Sequence, residues 1–198
     1  MIGQKFHELV QVDDEAFIDT THMTSLFKAI QSSGIKKQYL AYCRIDTLIK
    51  QHDILSEWKN IGLKKLFVGV EAIVSDTLKD YNKKIERFQI EHALEISRNI
   101  GVDILAGFIV NPNFRKEDFK QLKRFIEHKK IRNPMFTVLT PLPGTKMMEE
   151  QKNNITALDG NGRPDWNKFD LQQPVTKTFL PQDVFMQEFK AIRSLSAR

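Results

Sequence analysis

A glycine that follows a helical pattern and opens a short apolar run occurs three times in this chain. The segments are Ser33-Gly34-Ile35-Lys-Lys-Gln-Tyr-Leu40, Ile61-Gly62-Leu63-Lys-Lys-Leu-Phe-Val68 and Ile100-Gly101-Val102-Asp-Ile-Leu-Ala106. Glycine just past a helix takes the left-handed conformation that ends it. The unit is therefore helix, glycine stop, strand, and it recurs after 28 and then 39 residues. Helices and strands alternating at this spacing make βαβ units, and those units place their strands side by side in a parallel sheet.

That rhythm predicts strands near 6–13, 38–44, 65–71, 103–110 and 135–140, and helices near 22–33, 46–61, 86–100 and 115–131. Helix 46–61 carries Leu48, Leu55, Trp58 and Ile61 toward the sheet, with Asp46 placed to cap it. Strands such as Lys65 to Val70 are apolar on both faces, the pattern of a sheet covered by helices. From Asn153 to Pro174 the chain turns polar, with a turn at Asp159-Gly160-Asn161-Gly162, and a last amphipathic helix runs from Gln182 to Leu195. No low-complexity stretch divides the sequence, which reads as one domain over 1–150 with a carboxyl-terminal extension over 151–198 packed on it.

A chain of 198 residues with 41% hydrophobic and 28% charged residues has the composition of an ordinary globular protein. The longest apolar run, Ile104 to Val110, is far too short to span a bilayer. A single cysteine, Cys43, excludes an internal disulfide framework and fits a reducing cytoplasm. It reads as a small core residue with its side chain on the helix side. The formal charge of +5 is concentrated between Asn113 and Arg132, where eight basic residues face three acidic ones. Phe119, Leu122, Phe125 and Ile126 fall there at helical spacing, so the lysines lie on the outer face of an amphipathic helix. A nucleic-acid stripe is the rival reading, but no aromatic residues are interleaved for stacking.

Each proposed strand runs into a polar residue at its carboxyl end: Asp13 and Asp14, then Arg44, Glu71, Asn111 and Thr140. Ligands of parallel sheets bind at that rim, where the βα loops converge. Gly69 and Gly107 share faces with Glu71 and Asn111 and leave room for a ligand against the sheet. Structural readings stand beside this one: Asp13, Asp14 and Asn111 as helix caps, and Arg44 with Glu71 as an ion pair. The run Phe136-Thr-Val-Leu-Thr-Pro-Leu-Pro-Gly-Thr145 is a strand passing into a stiff turn rich in free backbone groups. Such a turn either holds a flat polar ligand or simply closes the last strand. The histidines form no metal pair at helical spacing, and neither a Gly-rich phosphate loop nor a nucleophile elbow is present.

Taken in order, Val10-Gln-Val-Asp-Asp-Glu-Ala-Phe17, Tyr42-Cys-Arg-Ile-Asp46, Phe67-Val-Gly-Val-Glu71, Lys83, Ala106-Gly-Phe-Ile-Val110, Thr140-Pro-Leu-Pro-Gly-Thr145 and Asp165-Trp-Asn-Lys-Phe-Asp170 resemble radical S-adenosylmethionine enzymes. The branch they resemble is the one that often carries an upstream cobalamin-binding domain. The resemblance implies a partial (β/α) barrel of about five parallel strands with helices outside. It implies S-adenosylmethionine across the carboxyl rim, with Glu71 against the cofactor, and Asp13 and Asp14 as the pair after the family's second strand. Arg44 would meet the methionine carboxylate as a fork, and Thr140 and Pro141 would begin the turn that offers backbone groups to adenine, with Asn111 on the same rim. It also implies a 4Fe–4S cluster fed by an electron donor, a small-molecule substrate, and cobalamin where that domain lies upstream.

The sequence departs from the family in one decisive respect. The cluster is held by three cysteines spaced CxxxCxxC, and this chain has one cysteine, elsewhere. The expectation is thus the carboxyl-terminal part of such an enzyme, binding no cofactor and inactive by itself, with its first strand exposed as an edge for self-association. The alternatives are a cluster-free binding or scaffold protein on a degenerate half-barrel, and a basic nucleic-acid-binding module.

Overall fold

A computed structural model describes residues 8–11, 13–71 and 87–197. Its five strands are β1 (Glu8–Gln11), β2 (Gln38–Cys43), β3 (Leu63–Glu71), β4 (Asp103–Val110) and β5 (Asn133–Val138), in the sheet order β1-β2-β3-β4-β5. The described helices are α1 (Thr20–Ser33), α2 (Ile45–Lys50), α3 (His52–Ile61), α4 (Arg87–Ile100), α5 (Lys116–His128), α6 (Lys146–Gln151) and α7 (Gln182–Arg193). The class is α/β, a partial (β/α) barrel, as the sequence rhythm and the family resemblance together require. The chain forms two compact units, 1–70 with 83–106 and 71–82 with 107–198. Lys83 and its neighbours lie outside the described residues.

In the first unit, β1 pairs with β2 and β2 with β3, both parallel. Asp19 caps α1 by accepting the His22 N–H at 2.9 Å, so the cap of this helix is neither Asp13 nor Asp14. All three repeat glycines have the left-handed backbone the sequence predicts, with φ of 69° at Gly34, 120° at Gly62 and 76° at Gly101. α1 and α3 pack together, and α2 packs on α4. Phe17, Met23, Leu48, Leu55 and Trp58 fill the space between them at 2% exposure or less. The helix expected over 46–61 is two helices broken at Gln51, and it starts one residue early, with Arg44 at the capping position rather than Asp46. The apolar spacing of Leu48 and Leu55 continues through the break, so periodicity alone gives no sign of it.

The second unit is built on aromatic rings. Phe114, Phe119, Phe185 and Phe189 form a chain of neighbouring rings at 5.4, 5.4 and 6.5 Å. Through them α7 packs on α5, and α7 also meets β5. Phe119, Leu122, Phe125 and Ile126 are buried as their spacing demands. The basic face of α5 is solvated, with Lys120 and Arg124 each 3.6 Å from Glu117. The expected turn at 159–162 forms around Asp159, whose Oδ1 accepts from the Asn161 and Arg163 N–H groups. α6 is not legible as a helix in the sequence; Thr145 caps it by accepting the Met148 N–H at 3.2 Å.

The strands are apolar on both faces but buried on only one. In β4, Ile104, Ala106, Phe108 and Val110 are buried, while Leu105, Gly107 and Ile109 are half-buried; β3 alternates in the same way. Glu71 and Asn111 fall on the half-covered face, in register with Gly69 and Gly107.

Candidate functional site

The first unit gathers its polar residues where β1 and β2 end. The loop after β1 is tied to β2 by the Ala16 N–H, which donates to the Tyr42 carbonyl at 3.1 Å. Ala16 and Phe17 are buried, which leaves Asp13 and Asp14 exposed on the outer part of the loop. Glu15 turns inward. Its Oε2 accepts the backbone N–H of Arg44 at 2.9 Å and lies 3.9 Å from the guanidinium Nε. Burial pushes the Glu15 carboxyl up from its ordinary pKa, opposed by the Thr47 hydroxyl and by Arg44. Sequence reading passes over Glu15; the signal is its place as the one acid of three directly before the apolar pair Ala16-Phe17.

Arg44 does not wait as an open fork. Its Nε donates to Asp46 Oδ1 at 2.9 Å and its Nη2 meets Asp46 Oδ2 at 3.4 Å. That hydrogen-bonded guanidinium holds the Asp46 carboxyl below its usual range. A ligand carboxylate would have to displace Asp46 to be met by this guanidinium as a fork. Cys43 is a core residue, 3% exposed, and burial with the Glu15 and Asp46 charges drives its thiol far above the ordinary range. It is no thiolate ligand in this environment.

In the second unit, Glu71 ends β3 with φ at 67°, a left-handed backbone on a residue with a Cβ. Asn111 follows β4 and folds back on its own loop. Its Oδ1 accepts the Asn113 N–H at 2.9 Å and its carbonyl accepts the Phe114 N–H at 2.9 Å. This is a turn rather than a helix cap; at the start of α5 it is Asp118 whose Oδ2 accepts the Arg115 N–H at 2.6 Å. Thr140 is 7% exposed, its hydroxyl donating to the Val138 carbonyl at 2.9 Å, and Pro141 beside it is buried. The turn beyond closes with the Thr145 N–H on the Leu142 carbonyl at 3.2 Å and Gly144 at φ 80°. Two segments of the extension reach these strand ends. The Val138 N–H donates to the Leu171 carbonyl at 2.8 Å, and the Phe179 N–H donates to the Pro112 carbonyl at 3.0 Å.

Asp13, Asp14, Arg44 and the overlooked Glu15 therefore belong to one unit, and Glu71, Asn111, Thr140 and Pro141 to the other. Among the described residues no group of three or more His, Cys, Asp or Glu side chains comes together to hold a metal ion. With one cysteine in the sequence, these residues do not fit a cluster that needs three thiolates.

No family model matches the sequence. Among curated proteins, the hopanoid C-3 methylase of Methylococcus capsulatus is 32% identical over 178 residues, which is 89% of this chain and 33% of the methylase. The bacteriochlorophyllide d C-8(2)-methyltransferase of Chlorobaculum tepidum is 28% identical over 67% of this chain and 29% of that enzyme. The chain thus spans about a third of the length of these relatives. Among solved structures, the radical S-adenosylmethionine methyltransferase TsrM from Kitasatospora setae shares the fold at a TM-score of 0.68 and 13% identity, over 92% of this chain and 42% of TsrM. Among the described residues, no helix is long and apolar enough to cross a membrane. The motif order along the sequence, the curated methylase and the shared fold agree: the chain resembles radical S-adenosylmethionine enzymes, those of the cobalamin-dependent branch among them.

Proposed function

We propose that this chain is the carboxyl-terminal part of a radical S-adenosylmethionine methyltransferase acting on a small molecule, and that its strand ends contact the cofactor. In the first unit the contacts are assigned to Asp13, Asp14 and Arg44, and in the second to Glu71, Asn111, Thr140 and Pro141. Residues 1–150 supply the barrel portion and 151–198 the extension, an assignment supported by the packing of α7 on α5 and β5. Reductive cleavage of S-adenosylmethionine to a 5′-deoxyadenosyl radical is assigned to the whole protein, whose cluster and external electron donor these residues do not provide. Where the whole protein carries an upstream cobalamin-binding domain, cobalamin is its second cofactor, as in the cobalamin-dependent OxsB. The chain alone is inactive in this reading, and a reducing cytoplasm is its compartment.

The observation that carries the reading is Glu71. A left-handed backbone on a residue with a Cβ costs about 1–2 kcal/mol. It stands at the end of β3, at the position the family resemblance gives to the cofactor-contacting glutamate. In the whole protein, Glu71→Ala is expected to weaken S-adenosylmethionine binding by about tenfold or more, the loss of roughly one charge-assisted hydrogen bond. The visible absorbance of the cluster should be unchanged. Equal affinity in calorimetry would remove Glu71 from the site.

The isolated chain should also self-associate through β1. Among the described residues β1 pairs only with β2, and Leu9 and Val10 are 42% and 55% exposed. An unpaired parallel edge with apolar side chains is a template for a second copy. Sedimentation at rising concentration should show dimers or larger species that Val10→Lys suppresses, whereas a clean monomer throughout would refute this.

A further inference from the structure

At the opposite, amino end of the first unit's sheet, a groove of about 590 Å³ opens between the end of α1, the entry to β2 and the turn from α3 into β3. Four lysines line it, Lys36, Lys37, Lys59 and Lys64, and no carboxylate does. That volume is in the range of sites for small ligands.

The lysines also have a structural use. α1 and α3 end here, and each helix end carries about half a negative charge in its unpaired carbonyls. Lys59 serves that purpose for α4: its Nζ donates to the Gly101 carbonyl at 2.5 Å. Lys36 and Lys64 do not. Both are exposed, and neither has an ion-pair or hydrogen-bond partner among the described residues. Two helix ends together carry about one negative charge and no carboxylate lines the groove, which leaves it net cationic. This differs from the basic face of α5, where Glu117 answers two of the cations.

We propose that this groove is an anion site for a ligand carrying two or more phosphate groups, held by Lys36 and Lys64 across the opening with Lys37 and Lys59 behind them. Ammonium groups on flexible stems suit phosphate as point charges and need no fixed fork. A compact multiply charged anion can engage several of them together, which a single carboxylate cannot. Ile35, 51% exposed beside Lys36, puts an apolar side chain at the lip of the groove. The phosphates therefore come either from a soluble polyphosphate compound or from a phospholipid headgroup.

Inorganic tripolyphosphate is the probe for the free chain, by calorimetry at low salt. Binding should saturate at one site per chain, and Lys36→Ala with Lys64→Ala should weaken it at least tenfold with the melting temperature unchanged. Lys120→Ala with Lys123→Ala, on α5, should leave it unchanged. Absence of binding at low salt would overturn the proposal, as would equal losses from both pairs of substitutions, the mark of net charge alone. Flotation with phosphatidylcholine vesicles, with and without phosphatidylinositol bisphosphate, separates the sources. Capture that requires phosphatidylinositol bisphosphate and is competed by tripolyphosphate identifies the headgroup, and no capture identifies the soluble compound.

Discussion

Trp58→Ala is expected to cost about 3–5 kcal/mol of folding stability, the range for deleting a fully enclosed aromatic side chain. Trp58 is 2% exposed, and its ring meets the edges of Phe17 and Tyr39 at 5.8 Å each. Its Nε1–H donates to the Met23 carbonyl at 3.1 Å, so one side chain ties α3 to α1, to β2 and to the loop after β1. Alanine would leave a cavity bounded by rigid strand and helix backbone, with little freedom to collapse. Trp58→Phe separates the two contributions: it keeps most of the packing and loses the hydrogen bond, for about 1 kcal/mol. Urea unfolding measures both, and a loss under about 1 kcal/mol for alanine would show that the cavity collapses after all. The consequence reaches the candidate site. Phe17 holds the loop that bears Asp13, Asp14 and Glu15, so a loosened Trp58 frees that loop from the Arg44 backbone.

The parts of the fold legible in the sequence are those that a single local rule decides. Gly34, Gly62 and Gly101 each end a helix with positive φ, and from their spacing alone the order of strands and helices follows. Cys43 reads as a small apolar core residue at the end of a strand, and it is 3% exposed. The break at Gln51 is not legible, because Leu48 and Leu55 keep helical phase across it. α6 is hidden for another reason. Thr145 reads as the last residue of a turn, when a threonine before four helix-forming residues is equally a cap.

The candidate site is legible in its positions and not in its partners. Strand ends can be counted, so Arg44, Glu71, Asn111 and Thr140 are placed correctly at carboxyl ends. What each side chain does there depends on backbone geometry that sequence does not state. Arg44 spends its fork on Asp46 because the chain turns into α2 at that point and brings residue 46 back beside residue 44. Glutamate is not a residue one expects in the left-handed region, so the strain at Glu71 carries no warning in the sequence.

Gly62→Ala should be the most damaging of the small substitutions, and Gly34→Ala is its control. Both glycines end a helix with positive φ, 120° and 69°, so both lose conformational freedom that alanine lacks. Their surroundings differ. A Cβ at Gly34 meets nothing within 4 Å, and its cost is the backbone alone, about 1 kcal/mol. A Cβ at Gly62 would stand 1.9 Å from the Lys37 carbonyl oxygen. That atom is backbone at the entry to β2, so no side-chain rotation relieves the clash. Neither segment is free to retreat: the Gly62 carbonyl accepts the Tyr39 N–H at 2.9 Å, and the β2–β3 register shifts at the next pair, where Leu40 sits opposite Lys65. The expected loss is about 3–5 kcal/mol, enough to unfold a marginally stable domain. The difference between the two variants reports the close approach together with the larger backbone cost at Gly62, whose φ of 120° lies outside the αL basin that Gly34 occupies. Equal losses in urea unfolding would mean that β2 moves away from α3 without penalty. The register that brings Arg44 over Glu15 would then be set elsewhere in the sheet.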